Sequence, residues 1–205
     1  MGTIKGVAMS KSFSEMSLKE LWQLFPIILK EHNPEYRNWY LAEKEKLETI
    51  LSEDCIERIN HIGSTAVPGL LAKPTVDILL EISREAELSK VETEIENSGW
   101  ILMHRNKKDE NLNLVFNKGY TPEGFAEKVF HLHLRYYGGW DELYFRDYLI
   151  AHPEIAEEYG ELKKILEKEY KHNRDGYTEA KTEFIKTHTI EARKEFASKY
   201  STKDK

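Results

Sequence analysis

Between Ile59 and Ile82 the chain reads INHIGSTAVPGLLAKPTVDILLEI. Gly63 and Ser64 form a turn with Thr65 beside them, and Asp77 follows inside the apolar run Thr75 to Ile82. Gly63 lets backbone approach a ligand closely, the amides opening a helical turn point at an anion, and the hydroxyls of Ser64 and Thr65 add donors. Asp77 is flanked by Val76, Ile78, Leu79 and Leu80, where an unpaired carboxylate carries a large desolvation cost. Pairing, hydrogen bonding or a metal removes that cost, and magnesium takes such carboxylates together with substrate phosphates and water. The combination predicts a phosphate grip beside a metal ligand.

Other residues extend this chemistry. Lys73 precedes Pro74, which forces an extended approach and should aim the ammonium toward the Gly-Ser turn, where it would balance phosphate charge; the plain alternative is a solvated loop lysine. His131 and His133 stand two apart on one face of a predicted strand, a spacing that lets both imidazoles reach one metal or phosphate, and Arg135 continues the row. Half-exposed polar residues are the alternative. Arg146 beside Asp147, and Tyr177 four residues before Lys181, sit in amphipathic helical patterns. The first pair reads as an ion pair or cap, the second as an aromatic and a cation offered to a substrate. Glu81 shares the strand face of Asp77, but four residues at roughly 3.3 Å rise put it about 13 Å away, too far for a shared ion.

The elements that carry these residues follow from periodicity and punctuation. Trp22 to Lys30 is a short apolar segment that Pro26 keeps from being one helix. Asn33 and Pro34 open a helix over Glu35 to Leu51, whose EKEK run, Glu43 to Lys46, is read as solvated. Strands are expected at Cys55 to Ile62 and Thr75 to Ile82, then a helix from Arg84 to Asn97 capped by Ser83. A meander follows, Trp100 to Arg105, Asn111 to Phe116 and Lys128 to Tyr136, joined by turns at Asn106 to Glu110 and Lys118 to Gly124. In its last strand Phe130, Leu132, Leu134 and Tyr136 face the core, while Val129, His131, His133 and Arg135 face a polar surface. From about residue 140 the pattern is helical: Glu142 to Ala151, Pro153 to Tyr170 and Thr178 to Lys199, with Glu157 to Lys171 read as a solvated face. The fold class is α+β, a mixed or antiparallel sheet with flanking helices and a C-terminal helical segment. Residues 1–16 are expected to be a loose leader and 17–205 one domain.

Composition narrows the setting. The chain has 205 residues, 40% of them hydrophobic and 32% charged, which is ordinary globular usage. A net charge of -6 disfavours non-specific nucleic-acid binding. The one cysteine, Cys55, allows no internal disulfide and is expected to be a packed thiol in a reducing cytoplasm. No signal-like segment or membrane span is apparent, so no membrane partner is expected.

His61 to Leu70, Ala72 to Pro74, Asp77 and Ile78, the HLHL at His131 to Leu134, FRDYLIAHPEIAEEY at Phe145 to Tyr159 and YTEAK at Tyr177 to Lys181 together resemble the GrpB family over residues 24–192. That family looks like a divergent branch of the polymerase β nucleotidyltransferase superfamily. The resemblance implies a nucleotidyltransferase-like fold, Gly63 and Ser64 as a phosphate turn and Asp77 as a metal carboxylate. It finds Leu79 where the superfamily has a second carboxylate. His131, His133, Arg146, Tyr177 and Lys181 fall in family motifs, and their roles are read from chemistry alone.

The function expected is magnesium-dependent transfer of a nucleotidyl group from a nucleoside triphosphate to a small-molecule or protein acceptor. Asp77, His131 and His133 would be catalytic and metal-binding. Gly63, Ser64, Thr65, Lys73, Arg146, Tyr177 and Lys181 would hold the nucleotide. One alternative is a non-catalytic nucleotide or anion binder, because Leu79 removes a metal ligand. Another is a histidine-dependent phosphohydrolase: the HLHLR row resembles histidine-triad hydrolases, although Arg135 stands in the third place.

Overall fold

The structure, a computed structural model, describes residues 13–106, 111–197, 199 and 200. Five strands, β1 (Ile56–Ile62), β2 (Thr75–Ile82), β3 (Ile101–Asn106), β4 (Asn113–Thr121) and β5 (Gly124–Tyr136), form one sheet in the order β1-β2-β5-β4-β3. The two central strands, β2 and β5, run parallel; every other pair is antiparallel. Their register sets Asp77 beside His131, Leu79 beside His133 and Glu81 beside Arg135. The strand-borne candidates therefore meet across the middle of the sheet.

Alternation along the strands divides the sheet into two unlike faces. Val76, Ile78, Leu80, Leu132 and Leu134 pack with Leu47 of α2 (Tyr36–Ile50) and Ile95 of α3 (Leu88–Asn97) in the main core. The other face carries Asp77, His131, His133 and Arg135. It is not the open polar surface expected from the sequence, because the C-terminal helices cover much of it and Arg135 and His131 are buried. Leu143 of α4 (Asp141–Ala151) packs on Ile62 and Leu79. Tyr159 of α5 (Pro153–Tyr170) joins Val67, Leu70 and Leu149. Tyr177 of α6 (Arg174–Glu179) packs with Ile27 and Leu166, and α7 (Thr182–Glu195) lies on α4.

Several boundaries differ from the sequence reading for local reasons. The helix expected over Thr178 to Lys199 is broken near Ala180 into α6 and α7, and Asn173 caps α6 by accepting from Gly176 N at 2.9 Å. Ser83 caps a turn at Glu85, not a helix, so α3 begins at Leu88. The Lys118 to Gly124 turn shrinks because β4 runs to Thr121 and β5 starts at Gly124. Glu43 is buried, not solvated, and its Oε2 accepts from Lys118 Nζ at 2.9 Å, which ties α2 to β4. Residues 1–12 of the expected leader and 107–110 of the β3–β4 turn lie outside the described residues. Within that leader, Phe13–Glu15 form a 3-10 turn with the Phe13 ring 5.9 Å from that of Phe25 ahead of α1 (Leu18–Leu24). Cys55 is a buried free thiol. No helix among the described residues is long and apolar enough to cross a membrane.

Glu81 explains how this half-polar face holds together. It is 0% exposed, and Arg58 grips it through Nε at 2.5 Å and Nη2 at 2.7 Å while Gly138 N donates at 3.1 Å. Removing one member of such a pair leaves a buried charge and costs about 3–5 kcal/mol. Arg58→Ala is therefore expected to lower unfolding stability by about that amount in urea titration. A loss below about 1 kcal/mol would mean that the pair behaves as a surface bridge.

Candidate functional site

The last residue of β1, Ile62, pairs with Asp77, so the chain enters Gly63 directly beside that carboxylate. Gly63 has φ 71 and ψ -175, a conformation essentially confined to glycine. A Cβ there would lie 2.5 Å from Asp77 Oδ2. The turn and the acid are in van der Waals contact because no side chain intervenes. Ser64–Ala66 then wind into a 3-10 turn, and Ser64 faces a cleft of about 730 Å³ also lined by Asp77, His133, Arg146 and Tyr159.

Asp77 Oδ1 accepts from His131 Nδ1 at 2.9 Å and lies 3.7 Å from His133 Nε2. Burial pushes the carboxyl up, but hydrogen bonds and charge from the two imidazoles outweigh it and hold the group well below the usual carboxylate range. His131 itself is pushed down by burial, which outweighs Asp77. Its other nitrogen, Nε2, meets Tyr120 Oη at 2.8 Å. Arg174 Nη1 donates to that phenol oxygen at 3.2 Å, leaving the phenol proton for His131 Nε2 and the Nδ1 proton for Asp77.

Tyr120 reaches the site through a defect in β4. Lys118 points to α2, where it binds Glu43, and in a regular strand Tyr120 would point the same way. The register slips between Lys118 and Tyr120, and Gly119, at φ 87, approaches so closely that a Cβ would sit 2.2 Å from Lys128 O. This glycine bulge turns Tyr120 onto the Asp77 face.

Four basic residues gather on this side of the sheet, and Asp77 acts directly on two of them, Lys73 and Lys181. Lys73 is delivered by the strap before β2, which Lys30 pins through paired backbone bonds to Ala72 at 2.8 and 3.0 Å. Lys181 stands four residues after Tyr177 with its Nζ 4.4 Å from the ring centroid, and Lys73 Nζ is 5.8 Å from the same ring. Lys163 of α5 is 2% exposed and donates to Ser64 Oγ at 3.0 Å and to Leu71 O. Burial, with repulsion among the cations, pushes Lys73 and Lys163 down to about 7 and Lys181 down to about 8. Arg174 completes the group. None of the four makes an ion pair with an acid within the described residues.

Some sequence-predicted binders are used elsewhere. Thr65 is 2% exposed, its Oγ1 donating to Thr75 O at 3.0 Å and meeting His61 Nε2 at 3.0 Å, so it braces the turn from behind. Arg146 lines the cleft, but its donors go to Asp147 Oδ1 at 2.7 Å, Asn60 Oδ1 at 3.3 Å, His61 O at 2.9 Å and Tyr200 Oη at 2.8 Å. It locks α4 to β1. Tyr177 is 1% exposed and serves as a buried platform for two lysines. Lys163, Arg174 and Tyr120 were missed. Lys163 had a signal: it falls on the stripe Ala156, Tyr159, Gly160, Lys163, Leu166, all of which are buried.

The ligand atoms of Asp77, His131 and His133 lie within 4.8 Å of one another, close enough to share a metal ion. One carboxylate and two imidazoles suit a transition ion better than magnesium, which prefers oxygen. Magnesium fits here only as a phosphate-borne ion that takes Asp77 as its protein oxygen.

Comparison with known proteins now bears on this arrangement. The family model described as GrpB protein matches residues 26–191. The chain belongs to the GrpB family. The glutamate-rich protein GrpB of Alkalihalophilus pseudofirmus is 34% identical over 163 residues, covering 78% of this chain and 91% of that protein. The UPF0157 protein YqkA of Bacillus subtilis is 33% identical over 178 residues, 83% of this chain, and this chain spans 49% of its length. The crystal structure of the conserved protein GrpB from Enterococcus faecalis superimposes with a TM-score of 0.70 at 30% identity, covering 83% of this chain and 100% of that one. The mixed α+β sheet is thus a GrpB architecture.

In this GrpB chain Gly63→Ala should cost about 1–3 kcal/mol from backbone strain alone, seen as a melting temperature lower by roughly 2–10 °C. In an Asp77→Ala background the same substitution should cost less, because the atom it strikes is gone. Equal losses in the two backgrounds would show that the Gly63–Asp77 contact is not the constraint.

Proposed function

We propose that the cleft binds a nucleoside triphosphate and that the protein transfers its nucleotidyl group to an acceptor hydroxyl. The observation that carries this reading is the excess of cations: Lys73, Lys181 and Arg174 gather near a single acid, Asp77, in a protein whose net charge is -6. Two like charges about 8 Å apart in an effective dielectric near 20 repel by about 2 kcal/mol. Such a cluster is stabilised by a multivalent anion, and triphosphate has the charge and length to reach several of the bases.

Gly63 lets the backbone come close to a phosphate in the cleft and Ser64 offers its hydroxyl there, while Lys73 and Lys181, which act on Asp77 from beyond the cleft lining, offset charge as it develops on the leaving group. His131, fixed by Asp77 and Tyr120, is a positioning residue. His133 lines the cleft and is the imidazole open to take a proton from an acceptor. A magnesium ion arriving with the triphosphate would have Asp77 as its protein ligand and would neutralise phosphate charge.

A second reading, binding without turnover, is favoured by the carboxylate count. Leu79 is 0% exposed beneath Leu143, and Glu81 is closed off by Arg58, so the further acids of a two-metal centre are missing from this strand. The phosphohydrolase alternative has less support, since Arg135 turns to Glu142 at 3.7 Å and to the ring of Trp140.

Melting curves with each nucleoside triphosphate, with and without magnesium, test the shared part of both readings. A ligand at 100 times its Kd should add about 2.7 kcal/mol of stability. Lys73→Met or Lys181→Met should weaken binding about tenfold or more, each removing roughly 1.4 kcal/mol of attraction. Affinity should fall between pH 7 and pH 9, since Lys73 at about 7 and Lys181 at about 8 must hold protons to attract the anion. If no nucleotide shifts the melting temperature, the proposal fails. Release of pyrophosphate separates transfer from binding alone.

A further inference from the structure

Ser64 has a second set of contacts that phosphate binding does not use. Its Oγ is 3.0 Å from Lys163 Nζ, and Tyr159 lines the same cleft close enough to interact with it electrostatically. Tyr159 and Lys163 are one turn apart on α5, with the ammonium 4.5 Å from the ring centroid. Lys163 is enclosed, and its other hydrogen-bond partner is a neutral carbonyl, Leu71 O. The charged groups acting on it are Lys73, from the strap before β2, and Lys181, at the start of α7. All three disfavour its protonated form: the enclosure by desolvation, the two lysines by repulsion. At about 7, its neutral amine is well populated at ordinary pH. A neutral amine can accept a proton from a serine hydroxyl at this distance.

We propose that Ser64 is a nucleophile activated by Lys163, whose ammonium lies against the Tyr159 ring, and that it attacks the phosphorus of a phosphoric anhydride or ester held in the cleft. In the step, the Ser64 Oγ–phosphorus bond forms as the bond from phosphorus to the leaving oxygen breaks. The hydroxyl proton passes to Lys163 Nζ, giving the ammonium. With a nucleoside triphosphate attacked at its α phosphorus, pyrophosphate departs and a nucleotidyl group remains on Ser64 as a phosphodiester. Lys73 and Lys181 stand close enough to Lys163 to perturb it electrostatically, and so to offset the charge of the leaving group. The choice of phosphorus as electrophile rests on the anion-binding reading above, whereas the serine–lysine pair does not.

An alkyl fluorophosphonate tests the pair without a nucleotide, because the probe brings its own electrophilic phosphorus and loses fluoride. Intact mass and peptide mapping of the full chain should find one adduct, on Ser64, that is absent from Ser64→Ala. Labelling should rise with pH and level off above about 8, as the lysine loses its proton. Lys163→Met and Lys163→Arg should each slow it by about 100-fold or more. The arginine variant keeps a cation beside Leu71 O, and its melting curve guards against mere unfolding. Failure to label Ser64 between pH 6 and pH 9, or a Lys163→Arg protein that labels at the wild-type rate, would overturn the proposal. In parallel, α-labelled triphosphates should leave label on the Ser64 peptide. A fluorophosphonate adduct without that label would uphold the nucleophile and contradict its use on triphosphates.

Discussion

One carboxylate, Asp77, organises the charged face of the sheet. It lies against Gly63, receives the His131 proton, stands near His133 and is the nearby negative charge that raises both Lys73 and Lys181. It cannot neutralise the bases near it, because one negative charge faces Lys73, Lys181 and Arg174 together. Folding therefore gathers lysines of reduced proton affinity near this acid in an otherwise acidic molecule. That imbalance is what a bound polyanion would relieve.

The rest of the architecture fixes this imbalance in place. Parallel pairing of β2 with β5 sets Asp77 and His131 side by side, the bulge at Gly119 turns Tyr120 to close the row, and the helices after residue 140 bring Lys163, Arg174 and Lys181 over it. The Arg58–Glu81 pair and the Arg146 brace consume the other charges on that face. Among the described residues of that face, the bases left without an ion pair are Lys73, Lys163, Lys181 and Arg174, which separates a structural use of charge from a functional one.

Much of the fold could be read from the sequence because period-two alternation in β2 and β5 and turn residues at Gly63 carry local signals. The same alternation placed His131 and His133 on one face of β5, and Asp77 was joined to them by metal-ligand chemistry rather than by pattern. Parallel pairing of strands some fifty residues apart has no local signature, so their meeting across the sheet was not visible. Lys163 was hidden for a different reason. It lies in a charge-rich helix, where composition argues for solvent, and only its place on the apolar stripe marked it as buried. Arg174 and Tyr120 depend on a helix break and a bulge, which place side chains by shifting backbone rather than by residue type. Thr65 and Arg146 show the converse: each has the right chemistry for a phosphate, but its donors are already taken by protein acceptors.

The account stands or falls on the state of the three lysines. An NMR titration of the Lys73, Lys163 and Lys181 side chains, with and without tripolyphosphate, would report their protonation directly. Without ligand they should titrate near 7, 7 and 8, and tripolyphosphate should move Lys73 and Lys181 back toward the ordinary lysine value near 10.4 while Lys163, held by Ser64 and Leu71 O, stays low enough to accept a proton. Ordinary values in the free protein, or Lys73 and Lys181 values that tripolyphosphate leaves unmoved, would contradict the claim that this site binds an anion to relieve its own repulsion.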